Sequence, residues 1–163
     1  LTENGKPTVT GQLYEFYESS GISHVNVIEV AKEETSKYGI IKFSDSQTNG
    51  DIQTFQVEDL VEKPNPNEAP SCWALPGRYV FTNKIFEHLD STTPGKNGEI
   101  QLTDAMIQLA KGEGLRALSM PSQRFDAGDK LGFIMANIEL ALQRPELRSP
   151  LLEHLQKTIE RHN

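Results

Sequence analysis

Val25-Asn26-Val27-Ile28-Glu29-Val30 is too apolar and too rich in β-branched residues for a surface helix, and it reads as a strand. Just upstream, Val9, Leu13, Phe16 and Tyr17 follow helical spacing and end near Gly21, which predicts a short amphipathic helix over residues 8–20. A helix, a short link and an apolar strand set the rhythm of an α/β sheet.

The chain downstream keeps that rhythm. Lys37-Tyr38-Gly39-Ile40-Ile41-Lys42-Phe43 reads as a strand and residues 44–51 as a turn stretch around Asn49-Gly50. The alternating run through Ile52, Phe55 and Val57 then ends at Val61-Glu62-Lys63-Pro64, so an antiparallel hairpin is expected. Pro64-Asn65-Pro66-Asn67 forbids regular structure and opens a loop that reaches Ser71. Residues 73–81 resume as a strand interrupted by Gly77, which marks either a kink or a place where a ligand approaches the backbone.

A short helix over residues 83–89, capped by Asn83, is followed by a loop over 92–98. Leu102, Ala105, Met106, Leu109 and Ala110 mark one helical face, with Thr103 as the expected N-cap and Leu102 and Ile107 as a hydrophobic staple. A strand over 115–120 comes next, then a helix carrying Leu131, Ile134, Met135, Ile138 and Leu142 and ending near Pro145. A last helix is predicted over 150–161.

With 163 residues, the chain suits one domain or most of one. A formal charge of −7 without a basic run excludes a general nucleic-acid surface, because phosphate backbones are held by clustered Lys and Arg. A single cysteine, Cys72, excludes an internal disulfide and fits a reducing, cytoplasmic setting. No apolar run approaches a membrane span, so no membrane partner is expected. The chain starts at Leu1 without an initiator methionine and is expected to be cut from something longer. His24, His88, His154 and His162 show no ligand spacing, and Ser71, Ser119 and Ser122 sit in no nucleophile elbow.

Two clusters carry chemistry. Glu62-Lys63 places a hydroxyl acceptor beside a phosphate-binding cation at a strand end, although solvated ion pairs also end strands. Phe125-Asp126-Ala127-Gly128-Asp129-Lys130-Leu131-Gly132 lies where a strand gives way to a helix start. An anion is favoured there and Asp126 can offer a hard oxygen to Mg²⁺; alternatively, Asp126 or Asp129 only caps the helix.

Tyr38-Gly39, Glu62-Lys63-Pro64, Gly77-Arg78-Tyr79, Glu99-Ile100-Gln101-Leu102-Thr103-Asp104 and Asp126-x-Gly128-x-Lys130-x-Gly132, in this order, resemble the bacterial UTP-glucose-1-phosphate uridylyltransferases of the sugar-nucleotidyltransferase superfamily. The resemblance implies a Rossmann-like α/β nucleotide-diphospho-sugar transferase fold, a mixed sheet flanked by helices. It also implies transfer of a uridylyl group from UTP to glucose 1-phosphate, giving UDP-glucose and pyrophosphate, in a homo-oligomeric full-length enzyme. Carried onto this chain, it makes Glu62 the acceptor for glucose hydroxyls, Lys63 the catalytic cation on the sugar phosphate, Gly39 and Gly77 the backbone approach points, and Asp126 a ligand of Mg²⁺. Lys130 either assists in binding substrate or stays on the surface, and Glu99 and Asp104 shape the loop and helix start.

The family also opens on a glycine-rich loop with an Arg and a Lys, followed by a second metal-binding aspartate. Neither is recognised here, since Gly5-Lys6-Pro7 and Gly95-Lys96-Asn97-Gly98 do not fit a phosphate loop. The expectation is therefore a C-terminal portion of one nucleotidyltransferase domain over residues 1–163, helical from about residue 129. It would be incomplete at its N-terminus, supply the sugar-phosphate side of the site, and be inactive alone. A non-catalytic homologue or a regulatory or oligomerisation module that keeps the fold is the alternative.

Overall fold

Thr8 accepts the Gly11 amide on its hydroxyl at 3.1 Å and starts α1 (Val9–Ser20), which ends where the Gly21 N–H returns to the Tyr17 carbonyl. The computed structural model describes residues 7–95, 98–125 and 127–162. These fall into two compact units, one up to Ser122 and one from Gln123 onward.

In the first unit, the described residues form a seven-stranded mixed sheet from β1 (Ser23–Asn26), β2 (Ile28–Glu29), β3 (Gly39–Asn49), β4 (Ile52–Glu62), β5 (Trp73–Ala74), β6 (Tyr79–Val80) and β7 (Leu115–Ser119). The order is β2-β5-β3-β4-β7-β1-β6. Only Val27 separates β1 from β2, yet the two lie near opposite ends of that order, so the sheet must curl back on itself. Asn26 braces the break: its Nδ2 donates to the carbonyls of Val27 and Leu118 at 2.8 and 3.0 Å, and the Leu118 carbonyl also accepts the Val27 amide at 2.9 Å.

The curl explains three departures from the sequence reading. The expected strand over 25–30 becomes two, and so does the strand over 73–81. There β5 pairs with β2 and β3 while β6 pairs with β1. The sheet is also not left unfinished at the N-terminal side, as expected above. β1, the first strand, is interior, bonded to β7 in parallel and to β6 in antiparallel fashion. A mixed sheet flanked by helices is thus assembled from α1 onward.

The β3–β4 hairpin is longer than its apolar residues suggested. Residues 44–49 belong to β3, and the ladder runs out to Asn49 opposite Ile52 across Gly50-Asp51, with irregularities between Lys42 and Phe43 and between Phe43 and Asp45. This end is polar and exposed, so it carries no apolar alternation to read; Gly50, at φ +58°, supplies the tight turn.

On one face, α2 (Lys84–Ser91) and α3 (Leu102–Gly112) cover Val25, Ile41, Phe55, Val57 and Leu115 with Ile85, Ala105, Met106 and Leu109. A separate cluster joins Leu13 of α1 to Leu118 and Met120. His24 is fully buried on β1 with its ring centroid 5.9 Å from that of Phe16. Its Nδ1 lies 2.7 Å from the Ile22 carbonyl, and its Nε2 has no hydrogen-bond partner among the described residues.

Burial holds the His24 pKa below its ordinary value, and the Arg116 charge adds to that effect. The unfolded chain therefore binds this proton more readily than the native one. His24's contribution is complete above the unfolded pKa near 6.5 and is lost as pH falls from there towards the lower native value, with a slope of at most about 1.4 kcal/mol per pH unit. Urea unfolding at pH 7.5, 6.0 and 5.0 should show a shallower loss in His24→Phe than in the parent chain. Equal slopes would remove His24 as the source.

The second unit pairs α4 (Lys130–Leu142) with α5 (Pro145–His162). α5 begins at Pro145, where a missing N–H costs no helical bond, rather than at residue 150; Pro150 lies inside it. Among the described residues no helix is long and apolar enough to cross a membrane.

Candidate active site

β4 ends at Glu62, directly opposite Gly39 at the start of β3. The Lys63 amide extends the ladder by donating to the Tyr38 carbonyl at 3.0 Å, and Pro64 then stops it. Lys63 has φ +46°, the only non-glycine residue with positive φ among those described. Neighbouring residues in a regular strand point to opposite faces, whereas this left-handed backbone ends the alternation. The ammonium comes to 3.9 Å from Glu62 Oε1, with 64% of the Lys63 side chain and 38% of the Glu62 side chain exposed. A left-handed lysine costs on the order of 1 kcal/mol, and such strain persists where the surroundings fix it.

Glu62 has a second partner that the sequence did not reveal. The Thr103 hydroxyl donates to Oε2 at 2.8 Å. Expected to cap α3, Thr103 instead sits inside its first turn, with Gln101 at the cap position. That leaves the hydroxyl free to reach across to β4. A Cβ on Gly39 would lie 3.1 Å from Glu62 Oε2 and 3.2 Å from Leu75 Cδ1, so the missing side chain makes room for the carboxylate and for Leu75.

Gly77 differs, because nothing lies within 4 Å of where its Cβ would be. Its φ of +96° accounts for the glycine by conformation, in the segment that carries the chain from β5 to β6. Tyr79, two residues on, is partly buried and stacks on Phe81. Burial first, and then the negative charge of Glu62, push its phenol pKa up, so it remains a neutral hydroxyl. Tyr79 and Thr103 are the site residues that sequence reasoning left unassigned. Both belong to the motifs that carry the resemblance, but only tertiary folding, through the packing of α3 on β4 for Thr103, brings them to Glu62.

Asp126 lies outside the described residues. Lys130 opens α4 in the second unit with an exposed side chain. Asp129 is the cap of that helix, accepting the Gly132 amide on Oδ2 at 2.8 Å. Among the described residues, no three His, Cys, Asp or Glu side chains converge as a metal site would require.

A cavity of about 490 Å³ lies elsewhere, between α2 and α3, lined by His88, Ser91, Thr92, Thr93, Asp104, Ile107 and Gln108. Three of its lining residues are already engaged. Ser91 and Thr92 both donate to the His88 carbonyl, and His88 Nε2 lies 3.0 Å from Glu113 Oε2.

The model of a family described as nucleotidyl transferase matches residues 10–141. A UTP–glucose-1-phosphate uridylyltransferase of Bacillus subtilis, YngB, is 45% identical over 150 residues, covering 92% of this chain and 49% of its own length. One from Streptococcus pneumoniae is 39% identical over 155 residues, covering 95% and 51%. A crystal structure of apo UDP-glucose pyrophosphorylase superimposes with a TM-score of 0.79 at 38% identity, over 88% of this chain and 51% of that one. UDP-glucose pyrophosphorylase from Acinetobacter baumannii does so with 0.78 at 30% identity, over 98% and 52%. The chain thus spans about half the length of the curated relatives it matches. These matches correct the expectation of a portion lacking the family's N-terminal region: the aligned stretch takes in α1 and β1 and runs on through the sheet.

Proposed function

This chain belongs to the nucleotidyl transferase family, and we propose that it serves uridylyl transfer from UTP to glucose 1-phosphate, giving UDP-glucose and pyrophosphate, by supplying the sugar-phosphate side of the site. The observation that carries this reading is the end of β4, where a carboxylate and an ammonium lie 3.9 Å apart on a strained backbone. Glu62 accepts from sugar hydroxyls and Lys63 binds and neutralises the phosphate, while Gly39 serves the approach by giving the Glu62 carboxylate room and Gly77 by leaving its own backbone open. In-line transfer asks a protein mainly to bring two polyanions together and to offset the growing charge.

Family membership is consistent with a divalent-cation-dependent reaction, and Asp126 with Mg²⁺ remains part of the proposal. Lys130 is proposed as an auxiliary substrate-binding cation. Bringing two polyanions together is the demanding part of the reaction, and the chain alone is expected to bind but not to turn over.

Calorimetric titration with glucose 1-phosphate and with UDP-glucose, paired with a pyrophosphate-release assay, tests both parts. Saturable binding of both ligands without turnover is the expected result. No binding of either would overturn the assignment of the sugar-phosphate side, and turnover at an ordinary enzyme rate would overturn the inactivity.

A further inference from the structure

We propose that Thr103 is a positioning residue that fixes the carboxylate of Glu62 and thereby decides which of its oxygens meets the ligand. The inference rests on the reading of Glu62 as a hydroxyl acceptor. Thr103 is 7% exposed, and its Oγ1 donates to Glu62 Oε2 at 2.8 Å. A threonine farther along a helix would turn this hydroxyl back onto the carbonyl of the preceding turn. Thr103 is the second residue of α3, with no complete turn before it, and its hydroxyl is directed outward instead.

Three constraints then act on one carboxylate. Oε2 is held by Thr103 and lies in the space that a side chain at Gly39 would take, 3.1 Å from where its Cβ would be. Oε1 lies 3.9 Å from the Lys63 ammonium. The first turn of α3, at the positive end of the helix dipole, favours a negative charge at this place. With Oε2 engaged, Oε1 and its lone pairs are left for a sugar hydroxyl arriving beside the cation. A carboxylate free to rotate would have to be ordered at the moment of binding, at a cost in affinity.

Thr103→Val keeps the β-branched shape and removes only the hydroxyl, and Thr103→Ser keeps the hydroxyl. Binding of glucose 1-phosphate should weaken about tenfold in Thr103→Val, consistent with losing one hydrogen bond to a charged group, and recover to within about threefold in Thr103→Ser. Inorganic phosphate, which offers Glu62 no ring hydroxyl, should bind both variants and the parent alike. If Thr103→Val fails to fold by circular dichroism, Thr103→Ala against Thr103→Ser provides the same contrast. Equal glucose 1-phosphate affinity in parent and hydroxyl-free variant overturns the positioning role, as does parallel weakening of phosphate. Absence of glucose 1-phosphate binding in the parent chain would instead remove the functional reading beneath it.

Discussion

Lys63→Ala is expected to weaken glucose 1-phosphate binding between about tenfold and about a hundredfold, the range for a charge-assisted contact worth about 1.5–3 kcal/mol. In the unliganded chain, Lys63 gains little from Glu62: at 3.9 Å and largely exposed, the pair is of the kind that contributes almost nothing to stability. A strained, solvated lysine is therefore hard to explain by folding alone. Lys63→Gly separates the two effects. It removes the same ammonium but suits a φ of +46°, so it should unfold at higher urea than Lys63→Ala by about 1 kcal/mol while binding just as poorly. Ligand binding that survives Lys63→Ala unchanged would end the role assigned to this residue. Equal stability of the alanine and glycine variants would mean that the backbone relaxes once the lysine is gone.

Phe55→Ala should cost about 3–5 kcal/mol of stability and lower Tm by roughly 10 °C, which is a large share of a typical domain's total. Phe55 is 2% exposed in the middle of β4, with its ring centroid 4.9 Å from that of Phe43 and 4.7 Å from that of Trp73. It also lies across from Ala117 on β7, a small residue that leaves space for the ring. Removing the ring opens a void shared by several strands, and such a void collapses only in part. Glucose 1-phosphate affinity at 25 °C should change far less, since a chain that stays mostly folded still presents Glu62 and Lys63 at the strand end. A loss below about 1 kcal/mol would show that the aromatic cluster repacks, and a parallel collapse of affinity would show that the site depends on this core.

The two substitutions lie on one strand and were not equally visible beforehand. Phe55 and Val57, two positions apart, report burial directly, because a side-chain period of two is a property of the strand itself; Ile52, three before Phe55, falls out of that alternation and packs with Leu13 and Leu118 instead. Glu62-Lys63 was visible as chemistry but not as geometry. Its charged residues permit a solvated pair as readily as a ligand grip, and φ +46° at Lys63 is a preference neither of lysine nor of a residue before proline, which favours extended backbone, so no local rule announces it. The polar half of β3 was missed because exposed strands lack an apolar face. Thr103 was misread because a threonine before an apolar helix is usually its cap.

Local chemistry by itself determined the helices, the α/β alternation, the hairpin around Asn49-Gly50 and the two residue types at the end of β4, since propensity, periodicity and turn residues act over a few positions. Tertiary structure alone decided the interior place of β1, the curl that splits two predicted strands, the seat of the Glu62 carboxylate between Gly39 and Thr103, and the closeness of Tyr79 to its charge. These depend on which strands pair across the sheet and on how α3 packs against β4, and contacts between residues forty positions apart are settled by the burial of the whole core rather than by any one stretch of chain.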